Sequence, residues 1–321
     1  MTAVTRVWVI GAGGLLGSGI RRAVSADAGW ELHEALSLPW GDPAAIEREA
    51  PVIAGELIER ATAAGERWSV LWVAGSATTI ATEETLALEL EQFRIVLDAI
   101  ATVTAASTAV AAAGSLFVAS SAGGLYGGSA NPPFDELSTP APASAYGRAK
   151  AELERMAAEF GEKNATPVLI GRIANLYGPG QHLGKLQGLI SQLLLAHFTR
   201  KPVQVFVPLE TVRNYFYVDD CARLILAAMR RLASEGPGDG SVTKVLCSDQ
   251  NVSISSLLGI VRAIGKAPPR IVLGASPGAV GQAVDLRLRS VVWPELDSVD
   301  NQPIAAGIHR TALDILRTLE G

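Results

Sequence analysis

The sequence predicts an α/β fold built on a parallel sheet that helices cover on both faces. Short apolar segments such as Arg6–Ile10, Ser69–Ala74 and Pro167–Ile173 alternate with longer segments of helical character. Strands that are apolar at nearly every position are typical of parallel sheets buried on both sides. Ligands of such sheets bind beyond the carboxyl ends of the strands, so the side chains found there are the first candidates for function.

The order of the elements follows from where the apolar runs stop and helical periodicity begins. Strands are predicted at Arg6–Ile10, Trp30–Leu36, Ser69–Ala74, Ser115–Ser120, Pro167–Ile173 and Val203–Val207. Helices are predicted at Leu15–Ser25, Ala44–Ala64, Thr82–Ala112, Ala145–Glu162, Leu186–Phe198, Tyr217–Ala233, Ser253–Ile264 and Ile304–Leu319. Residues 131–144 carry four prolines, which predicts a loop lying over the functional site.

Composition excludes several classes of function. Of the 321 residues, 49% are apolar and only 18% are charged, and the net charge is −5. A nucleic-acid-binding protein would normally show a basic patch, so no nucleic-acid partner is expected. The long uncharged stretch at 99–134 is rich in alanine, serine, threonine and glycine, so no membrane segment is expected either. The two cysteines, Cys221 and Cys247, are too few for a disulfide framework or a zinc site, which indicates a reducing, cytoplasmic setting and no metal.

A glycine-rich turn follows the first predicted strand. Gly11, Gly14 and Gly17 have the spacing Gly-x-x-Gly-x-x-Gly, and Leu15 and Leu16 begin the helix behind the turn. A turn between a strand and a helix lets backbone N–H groups approach a pyrophosphate. The chain is therefore predicted to bind a dinucleotide on a Rossmann-type, doubly wound parallel sheet.

The regular alternation of elements loosens after residue 175. We expect residues 1–175 to form the dinucleotide-binding domain, to which residues 212–233 return. Residues 176–321 are expected to form mainly a smaller C-terminal α/β lobe that binds the substrate.

Tyr146, Lys150 and Ser121 form the strongest candidate for chemistry. Tyr146 and Lys150 lie four residues apart on a predicted helix and share one face, while Ser121 ends a predicted strand. An ammonium group beside a phenol favours the phenolate, so Tyr146 can move a proton near neutral pH. Ser121 can hold a substrate hydroxyl or carbonyl by a hydrogen bond. With a nicotinamide as hydride carrier, these residues predict an oxidoreductase.

Other polar positions allow more than one interpretation. Arg213 is either a surface arginine in a salt bridge or a clamp on a substrate phosphate. Asp219 and Asp220 are interpreted as helix caps in preference to metal ligands. Of the four histidines, only His182 falls near the predicted cleft, and an incidental loop residue is favoured over a second catalytic acid.

In their order, these motifs resemble the extended short-chain dehydrogenase/reductase family, in its NAD-dependent epimerase/dehydratase branch that acts on nucleotide sugars. The resemblance runs nearly from end to end. It rests on Gly11-x-x-Gly14-x-x-Gly17, Val73-Ala74-Gly75, Ser120-Ser121-Ala-Gly-Gly-Leu-Tyr126-Gly, Tyr146-x-x-x-Lys150, Arg172-Ile-Ala-Asn175-Leu-Tyr177-Gly-Pro, Val212-Arg213-Asn-Tyr-Phe-Tyr-Val-Asp-Asp and Gly307-Ile-His-Arg-Thr.

The resemblance implies a role for each matching residue. Tyr146 would be the proton-transfer group, Lys150 would hold the nicotinamide ribose, and Ser121 would polarise the sugar oxygen. Asn175 and Arg213 would hold the nucleotide diphosphate. The implied cofactor contacts are Gly11, Gly14, Leu15, Leu16, Gly17, Asp42, Ala74, Gly75, Tyr146 and Lys150, and the implied substrate contacts are Ser121, Tyr126, Asn175 and Arg213.

Departures from the family pattern narrow the function. Glu34 is the nearest acidic candidate for the adenosine ribose, and no arginine stands ready for a 2′-phosphate, so NAD and NADP both stay open with NAD slightly favoured. Asp42 is expected near the adenine. Residues 122–124, directly after Ser121, lack the acidic residue usual in dehydratases, which favours a 4-epimerase or a 4-ketoreductase.

The leading hypothesis is therefore a nucleoside-diphosphate-sugar 4-epimerase that oxidises C4 transiently. The alternatives are an NAD(P)H-dependent 4-ketoreductase of a nucleotide sugar, or of a non-nucleotide ketone or alcohol, and a dinucleotide-binding sensor without activity. The sugar, the nucleotide and the pathway stay open. The family also implies a homodimer that pairs through Thr82–Ala112 and Ala145–Glu162, whose uncharged, alanine-rich faces would suit close packing.

Overall fold

The structure is a computed structural model that describes residues 4–34, 37–75, 81–184, 188–235, 240–265, 270–274, 283–297 and 301–320. Two predicted elements extend beyond these ranges. The second strand ends at Leu32, so the prediction of strand at residues 33–34 is wrong, and its last predicted residues, 35–36, lie outside the described residues. The start of the helix predicted from Leu186 also lies outside them.

Strands and helices alternate along the chain. The strands are β1 (Thr5–Ile10), β2 (Trp30–Leu32), β3 (Arg67–Trp72), β4 (Gly114–Ser121), β5 (Val168–Ile173), β6 (Asn175–Tyr177), β7 (Val203–Val205), β8 (Val212–Tyr217), β9 (Ser241–Leu246), β10 (Asn251–Ser253), β11 (Ile271–Leu273) and β12 (Asp285–Leu286). The helices are α1 (Leu15–Ser25), α2 (Pro43–Ala64), α3 (Glu83–Thr104), α4 (Thr108–Ala112), α5 (Ala122–Tyr126), α6 (Ala145–Asn164), α7 (Leu189–Thr199), α8 (Val218–Glu235), α9 (Ile254–Gly265) and α10 (Ile304–Glu320).

A parallel sheet in the order β2-β1-β3-β4-β5-β9 forms the centre of the described structure. The chain passes from β1 to β2 on one side and then returns to β3 on the other side of β1. This reversal creates a crevice at the carboxyl ends of β1 and β3, the place where doubly wound sheets bind ligands. The predicted Rossmann-type fold class is confirmed.

Apolar side chains cover both faces of the sheet because residues along each strand point alternately to opposite sides. Trp8 and Ile10 pack towards α2, α3 and α6, whereas Val7 and Val9 pack towards α1 and α8. The cores on the two faces hold β1 rigidly, and they thereby fix the position of the turn that follows Ile10.

A smaller lobe gathers the C-terminal elements. Helices α7, α9 and α10 pack around an apolar cluster that includes Leu193, Leu257 and Ile308. Strand β8 carries Arg213 in a small sheet between β10 and β12, and it also pairs with β6. The lobe therefore faces the carboxyl end of the central sheet.

One predicted helix is divided, and one strand of the central sheet was missed. The helix predicted over Thr82–Ala112 is divided into α3 and α4 because Ser107 starts a new helix, its hydroxyl oxygen accepting a hydrogen bond from the N–H group of Val110 at 3.3 Å. Strand β9 was missed because Lys244 interrupts its apolar pattern. That lysine is fully buried, and its ammonium group donates to Ser290, to the carbonyl of Val292 and to Asp297.

The exposed faces of α3 and α6 are charged. On α3 they carry Glu91, Arg94 and Asp98, and on α6 they carry Arg148 and Arg155. The uncharged face of α3 packs inside the molecule, against the sheet and the neighbouring helices. The alanine-rich surface that was expected to support pairing is therefore not what α3 presents to the outside.

Candidate active site

The glycine turn leaves the first backbone N–H groups of α1 without a side-chain cap. Gly11 has a φ of 95°, and the N–H of Gly14 donates to the carbonyl of Gly11 at 3.0 Å. A Cβ atom on Gly17 would lie 2.2 Å from that same carbonyl oxygen, so only glycine permits the close turn. Gly14 begins α1 and offers no side-chain hydrogen bond. The turn therefore fits an anionic pyrophosphate, which free N–H groups and the helix dipole both favour.

The same turn lies directly against the end of β3. A Cβ atom on Gly11 would lie 2.6 Å from the backbone nitrogen of Ala74. Ala74 and Gly75 line the same cleft as Gly11 and Gly14. The backbone surface predicted to receive the dinucleotide is thus continuous across β1 and β3, whereas Gly17 lies behind the turn and shapes it.

Ser121 ends β4 with its hydroxyl directed to the start of a short helix. The Ser121 oxygen accepts a hydrogen bond from the N–H of Gly124 at 3.1 Å. The hydroxyl hydrogen is not used in this contact, so it can be donated to a ligand oxygen. A Cβ atom on Gly124 would lie 3.1 Å from the Tyr146 ring, and one on Gly147 would lie 2.2 Å from the carbonyl of Gly124. These two glycines let α5 and α6 approach, which brings Ser121 and Tyr146 into one cleft.

Tyr146 and Lys150 lie on one face of α6, as their spacing predicts. The Lys150 ammonium nitrogen is 5.7 Å from the centre of the Tyr146 ring. It also forms an ion pair with Glu89 of α3, at 2.9 Å. Burial lowers the pKa of Lys150, but the adjacent Glu89 and the Tyr146 phenol together raise it by more, so the net shift of the pKa is upward. Lys150 is therefore held as a cation inside the cleft.

A second ion pair on α6 lies in the core beside the cleft. Arg172 donates to both carboxylate oxygens of Glu154, with contacts of 2.8 to 3.2 Å, and the hydroxyl of Ser120 donates to Glu154 at 2.6 Å. Arg172 also donates to the Tyr126 hydroxyl, which donates in turn to the carbonyl of Asp135. Tyr126 is fully buried and does not line the cleft. Its contacts with Arg172 and with the carbonyl of Asp135 hold α5 in the core.

The cleft is large enough for two ligands. Its volume is about 2180 Å³, whereas pockets for one drug-sized molecule usually measure about 300 to 1,000 Å³. It runs from the glycine turn past Ser121, Tyr146 and Lys150 to Arg213 on the smaller lobe. A dinucleotide and a second elongated molecule would fit end to end.

Asn175 and Arg213 lie at the far end of the cleft, on neighbouring strands. The side-chain amide of Asn175 donates to the carbonyl of Asn214 at 3.0 Å. Arg213 donates to the carbonyl of Val212 at 2.9 Å and forms no ion pair within the part of the chain that the structure describes. The nearby Asp285 is paired with Arg287 instead, at 2.8 Å. Burial lowers the pKa of Arg213, so this half-buried cation would gain from an anionic ligand.

The other end of the cleft differs from the sequence-based prediction. The Asp42 carboxylate accepts a hydrogen bond from the N–H of Ala45 at 3.0 Å and caps α2. The two residues before it, Trp40 and Gly41, line the cleft, but Asp42 does not. Its expected contact with adenine stays a prediction that this geometry does not favour.

A histidine directly after β2 was not predicted from the sequence to lie in the cleft. His33 lines the cleft beside Glu34, and neither of its ring nitrogens has a hydrogen-bond partner among the described residues. Burial lowers the pKa of His33. His182 lines the cleft as expected, so two of the four histidines do so. The position of His33 in the sequence, directly after strand β2 and before the loop to α2, is the pattern that indicates a residue of the cleft.

Two classes of site are not found in the described ranges. No group of three or more histidine, cysteine, aspartate or glutamate side chains lies close enough to hold a metal ion there. No helix in those ranges combines the length and apolar character needed to cross a membrane. Cys221 and Cys247 are both free thiols and buried, and burial raises the pKa of each.

Residues 7–242 match the model of the NAD dependent epimerase/dehydratase family. The matched segment makes up most of the chain and contains the glycine turn, Ser121, Tyr146, Lys150 and Arg213. The chain belongs to this family.

Curated relatives match over shorter segments. A probable dTDP-glucose 4,6-dehydratase of Sinorhizobium fredii is 33% identical over 97 residues, which cover 30% of this chain and 27% of the relative. A dTDP-4-dehydro-6-deoxy-D-allose reductase of a Streptomyces species is 31% identical over 170 residues, which cover 52% and 47%. The chain thus spans less than half the length of these curated relatives.

Solved structures match along almost the whole fold. The UDP-glucose 4-epimerase of Thermotoga maritima, solved with UDP-glucose, superimposes with a TM-score of 0.75 at 20% identity. The superposition covers 98% of this chain and 100% of the epimerase. At this level of identity the likeness shows the fold alone.

Proposed function

We propose that the protein is a nicotinamide-dependent enzyme that acts at C4 of a nucleoside-diphosphate sugar, as a 4-epimerase. One observation carries the proposal: Ser121, Tyr146 and Lys150 share a single cleft with the glycine turn on one side and with Arg213 on the other. The turn suits a dinucleotide pyrophosphate, and Arg213, which forms no ion pair with the described residues, suits a substrate diphosphate. The polar groups suited to proton transfer lie between these two anion-binding positions.

The side chains of the cleft supply proton transfer and orientation. Ser121 donates its free hydroxyl hydrogen to the oxygen on C4 and positions it for Tyr146. Tyr146 takes the proton of the C4 hydroxyl as the carbon is oxidised and gives it back when the carbonyl is reduced. Lys150 holds ribose hydroxyls with the N–H donors that Glu89 leaves free. A bound nicotinamide supplies the acceptor and donor of the hydride.

The side chains of the cleft support elimination of water less well than transfer of a hydride and a proton at one carbon. A dehydratase needs an acid and a base beyond the tyrosine, and residues 122–124 beside Ser121 contain none. Glu34 and Glu89 are the carboxylates among the described residues that line the cleft. Glu89 is paired with Lys150, and Glu34 lies at the opposite, β2 end of the cleft. The matches to dehydratases over about a third of the chain therefore do not decide the reaction.

The alternative is a 4-ketoreductase, which the similarity to the Streptomyces reductase favours because that match spans 52% of the chain. The two activities differ in their use of cofactor. A 4-epimerase given UDP-glucose should form product with substoichiometric NAD and no net change in reduced nicotinamide absorbance. Stoichiometric loss of reduced cofactor on adding a 4-keto sugar nucleotide would instead establish the reductase. Tyr146→Phe is the matched control in both assays, because it should bind cofactor and turn over either substrate about 10²- to 10⁴-fold more slowly.

The cofactor can be chosen by binding. A thermal-shift screen of NAD and NADP, with and without UDP- and dTDP-sugars, should raise Tm for the true ligands, since binding to the folded state adds stability. We propose NAD in preference to NADP because Glu34 lies at the ribose end of the cleft, where a carboxylate would repel a 2′-phosphate. A larger shift with NADP would reverse this choice.

Assembly and location complete the proposal. We propose a cytoplasmic homodimer that pairs through α3 and α6, with the charged residues of their exposed faces forming cross-subunit ion pairs. Light scattering would show twice the chain mass of 33.5 kDa for a dimer. A mass equal to one chain would show that the charged faces stay solvated.

A further inference from the structure

Glu89 is a charged residue in direct contact with Lys150, the lysine of the proposed active site. It lies 61 positions before Lys150 in the sequence, yet the Oε1 to Nζ distance is 2.9 Å. Both side chains are nearly buried, with exposures of 12% and 9%, and both line the cleft. The second carboxylate oxygen, Oε2, is buried without a hydrogen-bond partner among the described residues. The carboxylate thus holds the ammonium group on one side and keeps one acceptor unused.

Few other charges act on Lys150. Glu89 faces it from α3, and the Tyr146 phenol faces it from α6. Farther along α6, Glu152 is paired with the exposed Arg155, and Glu154 is paired with Arg172 of β5. The charge that Tyr146 experiences is therefore that of the Lys150–Glu89 pair, and not that of an isolated ammonium group.

We propose that Glu89 is a positioning residue, which fixes the Lys150 ammonium group in the cleft and offsets part of the positive charge that it presents to Tyr146. The proposal rests on the proposed function only in taking Tyr146 as the acid–base group. An isolated ammonium group would favour the phenolate strongly, whereas a close ion pair has a much weaker field at the phenol. With Glu89 in place, the positive field at the Tyr146 phenol is weaker than that of an isolated ammonium group.

Removal of the Glu89 charge should lower the pH at which both Tyr146 and Lys150 lose their protons. Without the carboxylate, Lys150 acts on Tyr146 with its full charge, and the phenolate forms at lower pH. Burial lowers the pKa of Lys150, and without Glu89 only Tyr146 opposes this effect. The ammonium group therefore loses its proton at lower pH as well. Both limbs of a pH–rate profile should move towards acid. A purely structural role would lower the rate at every pH without moving the limbs.

The test is a spectrophotometric titration of tyrosine ionisation in the intact, ligand-free chain. Burial raises the pKa of the other tyrosines that the structure describes, Tyr126, Tyr177, Tyr215 and Tyr217. The transition that disappears in Tyr146→Phe therefore reports Tyr146. In Glu89→Gln this transition should move to lower pH, because the ammonium group of Lys150 then acts on the phenol without the opposing carboxylate. Glu91→Gln, on the exposed face of α3, is the matched control and should leave it in place.

A second variant covers the case in which Glu89→Gln does not fold. Glu89→Asp keeps the charge but moves it away from Lys150, so the transition should shift in the same direction by a smaller amount. An unchanged Tyr146 transition in the folded variants overturns the proposal. Because the titration uses no substrate, it distinguishes a wrong role for Glu89 from a wrong choice of reaction. If turnover is found, the matching acid shift of kcat/KM completes the test.

Discussion

Two buried ion pairs on the same helix differ in how completely they are satisfied. Glu154, on α6, accepts from Arg172 and from Ser120, so both of its oxygens are bonded inside the protein. One turn earlier, Lys150 bonds only one oxygen of Glu89. The first pair lies in the core and joins β4, β5 and α6, whereas the second lines the cleft. A saturated pair fixes the fold, and an unsaturated pair beside a cleft keeps bonding capacity for a ligand.

Arg213 is a single charge whose bonding inside the protein is also incomplete. It is half-buried and bonds only backbone carbonyls, without a carboxylate partner in the described part of the chain. Leaving a cation in this state is unfavourable unless a ligand supplies the anion. The bonding that the protein leaves incomplete, at Lys150–Glu89 and at Arg213, thus lies along the cleft at the positions where a cofactor and a substrate are proposed to bind.

The largest effect is expected on the cleft side, from Tyr146→Phe. Loss of a general acid–base group should lower kcat by about 10² to 10⁴, while NAD affinity and unfolding free energy stay near those of the wild type. Steady-state kinetics and a cofactor titration on the same preparation would measure both quantities. Full activity in this variant would show that another group transfers the proton.

On the core side, Glu154→Gln should act on stability and not on chemistry. Removing one charge of a buried pair leaves Arg172 uncompensated and should cost about 3 to 5 kcal/mol of unfolding free energy. Denaturant unfolding would measure this loss. Glu89→Gln should cost less, because water in the cleft can solvate Lys150. Equal losses in the two variants would contradict the distinction between a core pair and a cleft pair.

An intermediate effect is expected from Arg213→Ala, which removes the cation at the substrate end of the cleft. Charge-assisted hydrogen bonds contribute about 1.5 to 3 kcal/mol, so KM for a sugar nucleotide should rise about 10- to 100-fold. Arg231→Ala, which removes a surface arginine paired with Glu235 on α8 outside the cleft, is the control and should leave KM near the wild-type value. An unchanged KM in Arg213→Ala would favour a substrate without a diphosphate.

The smallest effect is expected from an ion pair that is half in solvent. Arg289 is 62% exposed and pairs with the buried Asp135 at 2.7 Å. Burial raises the pKa of Asp135, but Arg289 and Ser138 outweigh it, so the net pKa is lowered. A lowered carboxylate pKa adds stability above the unfolded pKa of about 3.9, and the gain is lost as pH falls through the folded value. Arg289→Gln should therefore cost under about 1 kcal/mol at neutral pH, and the difference from wild type should vanish in acid unfolding measurements.

Local chemistry in the sequence was sufficient for four strands of the central sheet and for the glycine turn, while the roles of the candidate site residues stay predictions. The strands β1, β3, β4 and β5 are apolar runs, and they were predicted within a few residues of their ends. The glycine turn and the spacing of Tyr146 and Lys150 depend only on neighbouring residues. The short strands β6, β8, β10 and β12 were missed because their stability comes from pairing with one another and not from a local pattern.

The sequence by itself determined which reactive groups this protein has, because turn geometry and helix periodicity act over a few residues. Only the tertiary structure decided their partners. In the folded chain, Lys150 pairs with Glu89, Tyr126 lies in the core and Asp42 caps a helix. The strand that carries Lys244 forms the last strand of the central sheet. Each of these outcomes depends on contacts between distant residues, in which burial and the balance of charge decide the result and spacing along the chain does not.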